Sequence, residues 1–226
     1  MATIAATRAE PELLILALDT STPACTAALF AEDGTVLARA DQVIGRGHAE
    51  FLAPMIADML SRRAVSSIWP SIIWVGVGPG SFTGLRIGIA CAQGLGIGWD
   101  IPVLGIDSLA LIAAGAPGEG PVAVAVNGGH GELFVAVYAR PGPTPLRPVA
   151  NLTVEAAAAA IDTHLVVGSG AAALVAARGY GEAIDLLPEA ANALALPEAL
   201  RSLAPSPIYA REPDARPAII HRPVAA

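Results

Sequence analysis

The sequence predicts an α/β protein of two lobes, and three observations predict it. Short continuous apolar runs of strand length alternate with segments whose apolar residues recur at steps of three and four. A Gly/Pro cluster, Ala116-Pro117-Gly118-Glu119-Gly120-Pro121, punctuates the middle of the 226-residue chain. Past that cluster the opening strand–turn–strand pattern returns: setting Asp19 over Asn127 also sets Ala27 over Val135 with no gap. The expected division is a lobe over 1–115 and a reduced lobe over 116–226. With 54% hydrophobic and 15% charged residues, the chain can bury a sizeable core.

The elements follow in order. Leu13 to Leu18 is an apolar run suited to a buried central strand, stopped by Asp19-Thr20-Ser21 and Pro23. Cys25 to Phe30 resumes as a strand. Glu32-Asp33-Gly34 signals a hairpin, and Thr35 to Asp41 returns as a third strand. A helix is expected over 49–63, with Leu52, Met55, Ile56, Met59 and Leu60 on one stripe and Arg62 and Arg63 in the last turn, where cations suit the helix dipole. Ile72 to Val77 reads as a buried strand. A glycine-rich elbow over 76–84 then leads into a helix over 85–98, a strand over 103–106 and a helix over 108–114. In the second lobe the sequence predicts strands over 122–126, 133–138 and 165–167, and helices near 171–178 and 188–203. The tail past Pro205 is expected to run extended.

Composition excludes several functions. Acidic residues exceed basic ones to give a net charge of −7, against a protein that grips nucleic acid unaided. All thirteen basic residues are arginines, so Schiff-base chemistry, a lysine base and a Walker A loop are excluded. Cys25 and Cys91 are too few for a disulfide scaffold and read as buried thiols. No apolar export segment follows the start of the chain, and the uncharged stretch 64–85 is broken by Pro70 and Pro79. A cytoplasmic protein with no membrane association is expected. The four histidines lie far apart and form no metal-ligand pair, so no metal site is expected.

Two motifs stand out. Asp19-Thr20-Ser21 combines a carboxylate with two hydroxyls at a strand end, which suits either a relic phosphate turn or an ordinary Asx turn. The elbow Gly78-Pro79-Gly80-Ser81-Phe82-Thr83-Gly84 joins a strand to a helix, where free N–H groups can bind anions. It nevertheless departs from the Rossmann, Walker A and nucleophile-elbow patterns. Gly84, Gly88 and Ala92 are spaced by four, as are Gly94 and Gly98. Glycine inside a helix costs about 1 kcal/mol relative to alanine, so the repeats imply close approach of another backbone, in this chain or a second one.

These residues resemble a known family. Leu16-Ala17-Leu18-Asp19-Thr20-Ser21-Thr22, His48-Ala49-Glu50, the run Val77 to Gly88 and Pro102-Val103-Leu104-Gly105 occur in the order and spacing of the TsaB (YeaZ) family. Pro207 to Ala215 resembles its C-terminal signature. The resemblance is strong over 13–114 and thin through the second lobe.

It implies an actin-like ATPase (ASKHA) fold, with two lobes of mixed sheet flanked by helices. It also implies a non-catalytic accessory role in making threonylcarbamoyladenosine beside the tRNA anticodon. The implied partners are a TsaD-like catalytic paralogue and a TsaE-like ATPase. ATP and metal would belong to those subunits, tRNA would be met only through the complex, and the chain alone would form a homodimer. In the paralogue, the segment like 102–112 carries two metal-binding histidines four residues apart; here those positions are Ser108 and Ile112. The second-lobe hairpin also departs from the family, with Asn127-Gly128-Gly129-His130 where an Asp-Ala-Arg-like run is usual. The expected partner face comprises His48, Leu52, Met55 and Met59 with Gly84, Arg86, Gly88 and Ala92, the glycines admitting a second backbone. The rival expectations are a stand-alone metallopeptidase, an ASKHA-type phosphotransferase and a tRNA-binding adaptor.

Overall fold

A computed structural model describes residues 13–61 and 69–210. The expected helix end at Arg62 and Arg63, the signature residues past Ala210 and the start of the chain lie outside the described residues. Five strands form the first sheet: β1 (Ile15–Asp19), β2 (Ala24–Phe30), β3 (Val36–Val43), β4 (Ile72–Gly76) and β5 (Val103–Ile106), in the order β3-β2-β1-β4-β5. The first three strands are antiparallel neighbours, and β4 and β5 add in parallel. Helices α1 (His48–Ser61), α2 (Phe82–Trp99) and α3 (Ser108–Ala114) connect and follow them.

The second sheet holds β6 (Val122–Gly129), β7 (Glu132–Ala139), β8 (Thr144–Thr153), β9 (Leu165–Val167) and β10 (Glu182–Ile184). Read from its far edge, its order is β8-β7-β6-β9-β10, the same topology as the first. Its helices α4 (Val154–Ala160) and α5 (Ala171–Arg178) are short.

The alternation of side chains along β1 shows why its apolar run is continuous. Leu16 and Leu18 pack with α1 and α2 through Leu52, Ile56, Met59, Ile89 and Ala92. Ile15 and Ala17 face the other way, into a core shared with the second sheet. The centre of that core is α3: Leu109 to Ala113 meet Val122, Val124, Phe134 and Tyr138. The loop between the lobes is gripped by Arg140, whose guanidinium donates to the carbonyls of Ala116, Pro117, Gly118, Glu119 and Gly120.

Three expectations for the second lobe are corrected. The strands β8 and β10 were not anticipated. The helix expected over 188–203 is instead two 3-10 turns, Ala190–Ala195 and Glu198–Leu200, separated by Pro197. They return the chain to the first lobe: Ala190 N–H donates to Thr26 Oγ1 at 3.1 Å, and Leu203 bridges to Gly105. Among the described residues no helix is long and apolar enough to cross a membrane.

Candidate functional site

The two sheets open onto a cleft of about 650 Å³. Its first-lobe wall includes Ser21, Thr22 and the start of α2, its second-lobe wall Asn127, Phe134 and Ser169, and Ile208 to Ala210 close one side. Among the described residues this lining holds no carboxylate and no guanidinium.

Asp19 lies behind the cleft, fully buried at the end of β1. Its Oδ1 accepts from Ser21 N–H at 2.8 Å and from Ser21 Oγ at 2.7 Å, and its Oδ2 accepts from Ser108 Oγ at 2.6 Å. Ser108 Oγ in turn accepts from Gly78 N–H at 3.1 Å. Burial pushes the Asp19 carboxyl above its ordinary range, and the three hydrogen bonds offset this only in part. Thr20 Oγ1 donates to the Gly84 carbonyl at 2.8 Å, and the Ser21 carbonyl accepts from Ser81 N–H at 2.7 Å. The polar groups of Asp19-Thr20-Ser21 therefore face inward and are occupied. The Asx-turn reading prevails over the phosphate-turn reading.

Ser108 and Ile112 are the positions at which the resemblance implies the paralogue's metal-binding histidines. Both are buried, Ile112 in the shared apolar core. Together with Asp19 they offer a cation one carboxylate already accepting three hydrogen bonds and no imidazole, so they do not fit the metal.

The expected partner face needs correction. Six of its eight residues, His48, Leu52, Met59, Gly84, Gly88 and Ala92, are buried within this chain. His48 Nε2 donates to the carbonyls of Thr22 at 3.0 Å and Ala24 at 3.2 Å, pinning the start of α1 to the turn. The glycines seat α2 on the Asp19 turn. A Cβ on Gly84 would lie 2.0 Å from the Thr20 carbonyl oxygen, and one on Gly88 would lie 2.3 Å from Thr20 Oγ1. The backbone they approach belongs to this chain.

Met55 is half-buried and Arg86 is exposed. The outward face of α2 is instead Phe82, Arg86, Ala90, Gly94 and Ile97, spaced by three and four; Ile97 is 84% exposed. At Gly94 and Gly98 an added Cβ would meet nothing within 4 Å. Helical spacing could not say which of the two glycine pairs faced inward. The sequence marks Ser108 but not its bond to Asp19, nor the lobe-spanning bond from Tyr138 Oη to the Asp107 carboxylate, 3.3 Å. They depend on pairing across 31 and 89 positions of chain.

Two copies of one sheet topology, closing on a cleft, define an actin-like ATPase (ASKHA) fold with a reduced second half. The family model TsaD, tRNA N6-adenosine threonylcarbamoyltransferase, matches residues 41–164. YeaZ from Pseudomonas aeruginosa superposes with a TM-score of 0.73 at 31% identity, over 87% of this chain and 99% of that one. An uncharacterized protein of Mycobacterium tuberculosis is 34% identical over 212 residues, 90% of this chain and 94% of its own length. The tRNA threonylcarbamoyladenosine biosynthesis protein TsaB of Escherichia coli is 41% identical over 129 residues, 56% of this chain. That match spans only about half of the Escherichia coli protein, 55% of its length. The chain belongs to the TsaB (YeaZ) family, within the wider group that the TsaD model describes.

Proposed function

We propose that this chain is a non-catalytic subunit in tRNA threonylcarbamoyladenosine biosynthesis, binding a TsaD-like catalytic paralogue through the outward face of α2 and the adjoining side of α1. The transfer of threonylcarbamoyl to tRNA adenosine would be carried out by the paralogue, with a TsaE-like ATPase as third subunit. Metal and ATP would sit in those chains, and tRNA would be reached only through the complex. Without the paralogue, the same face would pair with a second copy.

The observation that carries this reading is the Ser108–Asp19 hydrogen bond of 2.6 Å: at one of the two positions where the resemblance implies a metal-binding histidine, a hydroxyl is closed onto a buried carboxylate. The uncharged lining of the cleft supports it too, since a metal–phosphate group would meet no countercharge there. The metallopeptidase and phosphotransferase alternatives both need a free carboxylate that Asp19 does not offer. The net charge of −7 weighs against the adaptor alternative, tRNA binding by the chain alone.

The test is co-purification with the TsaD-like paralogue, followed by a tRNA modification assay on each protein alone and on the mixture. Modification only in the mixture is expected. Stoichiometric metal or sustained ATP turnover by this chain alone would overturn the reading. Ile97→Arg, placing a charge at the exposed centre of the α2 face, should abolish co-purification and leave the fold intact.

A further inference from the structure

We propose that the segment Pro205 to Ala210 builds, with the start of α2, a cation socket on the docking face, and that the partner fills it with a protein carboxylate. This rests on the reading that the outward face of α2 meets the TsaD-like paralogue.

The socket is made of Arg86, Phe82 and Tyr209. The Arg86 guanidinium carbon lies 3.7 Å from the centroid of the Phe82 ring and 6.0 Å from that of Tyr209, and the two rings are 5.4 Å apart. Arg86 Nε donates to Tyr209 Oη at 3.1 Å. Tyr209 is carried there by a segment fixed at two further points. Ile208 N–H donates to the Val77 carbonyl at 2.8 Å, and Gln93 Nε2 donates to the Pro205 carbonyl at 3.2 Å. The resembling C-terminal signature thus acquires a physical role, because its tyrosine holds the arginine of the Gly-rich motif, 123 positions away.

An exposed arginine ordinarily samples many rotamers, and ordering it costs side-chain entropy. Here two rings and one hydrogen bond hold it before any partner arrives, so a bidentate carboxylate meets a guanidinium already in place. Among the described residues the ion pairs are made by Arg39, and Arg86 has no carboxylate partner. It is also the one charge among the outward residues of α2, stacked on Phe82, which is 49% exposed, with Ile97, 84% exposed, further along the same face. A single cation amid apolar surface, in a chain of net charge −7, suits an interface anchor. RNA phosphates call for a field of cations. Tyr209 is a positioning residue acting through Arg86.

The experiment measures the Kd of the full chain for the TsaD-like paralogue, without tRNA, at low and high salt. Arg86→Gln should weaken binding about 30-fold at low salt, the size of an interface anchor, and the gap should narrow as salt screens the pair. Tyr209→Ala should cost about 10-fold, and Tyr209→Phe, which keeps the ring, about 3-fold. Thermal melts matching the parent would show that each variant folds, and a purely structural role would not give the salt dependence. If Ile97→Arg abolishes binding while Arg86→Gln and Tyr209→Ala bind like the parent, the socket is overturned and the docking reading stands. If Ile97→Arg binds normally too, the docking reading falls with it. If the Arg86 and Tyr209 variants keep the protein affinity but weaken tRNA binding by the complex, the anion is phosphate and the proposal is wrong.

Discussion

The two lobes share one sheet topology and differ in what covers it. In the first, β1 ends in Asp19, and a glycine elbow after β4 packs against the residues that follow: Ser81 N–H donates to the Ser21 carbonyl at 2.7 Å. In the second, β6 contains Asn127, and the glycine elbow after β9 bonds to β6 just before that residue, with Gly170 N–H donating to the Ala125 carbonyl at 2.9 Å. Asn127 is exposed and bonds to Ser169 through its backbone N–H and side-chain amide, whereas Asp19 is buried under an 18-residue helix. The second elbow opens into α5, of only eight residues. The duplicated backbone therefore survives with its elbows, and the helical layer that offers a surface belongs to one lobe. The difference teaches that main-chain hydrogen bonds hold the strand–elbow geometry in both lobes whatever the side chains, while the size of the exposed helical surface depends on helix length.

Glycine substitutions near the two elbows should break this comparison most clearly. Gly84→Ala would push a Cβ against the Thr20 backbone and should destabilise the fold by about 3 kcal/mol in urea unfolding. Gly170→Ala meets the buried Leu133 methyl at 2.6 Å and the Ala125 carbonyl oxygen at 3.3 Å, contacts looser than those of Gly84, so about 2 kcal/mol is expected. Removing the bond between the lobes with Tyr138→Phe should cost about 1 kcal/mol. In the same α2, Gly94→Ala enters open space and should stabilise by about 0.5–1 kcal/mol.

A pH series sharpens the contrast between Asp19 and its counterpart Asn127. The folded-state pKa of Asp19 is raised above its unfolded value of 3.8, so folding disfavours ionisation. The resulting penalty is absent below 3.8, grows as pH rises toward the folded pKa and is complete above it. The stability difference between Asp19→Asn and the parent should therefore move in favour of Asn as pH rises from about 4 to 8. A difference that stays flat across that range would show that Asp19 does not titrate abnormally.

Much of the first lobe was legible because β1, β2 and β4 are buried on both faces and α1 carries a clear apolar stripe. The second lobe hid β8, whose segment Thr144–Thr153 includes Pro145 and Pro148 and is mostly exposed, so neither apolar pattern nor propensity marked it. The Ala- and Leu-rich stretch over 188–203 imitated a helix. Its apolar residues Ala190, Ala193 and Leu196 instead fill the core shared by the two lobes, and Pro197 blocks continuation. At the site, the glycine spacing revealed close packing without its direction. Gly84 and Gly94 are equally plausible contacts on paper, and only the fold separates one buried against Thr20 from one facing solvent.

α3 sits with both sheets in a single apolar core, and Arg140 grips the loop between them. Opening and closing of the kind that couples nucleotide turnover to movement would expose that core with every cycle. The halves should instead melt together in one calorimetric transition, and neither should fold when expressed apart. Under the proposed function, such a molecule would hold a shape for its partner and leave ATP turnover to another subunit.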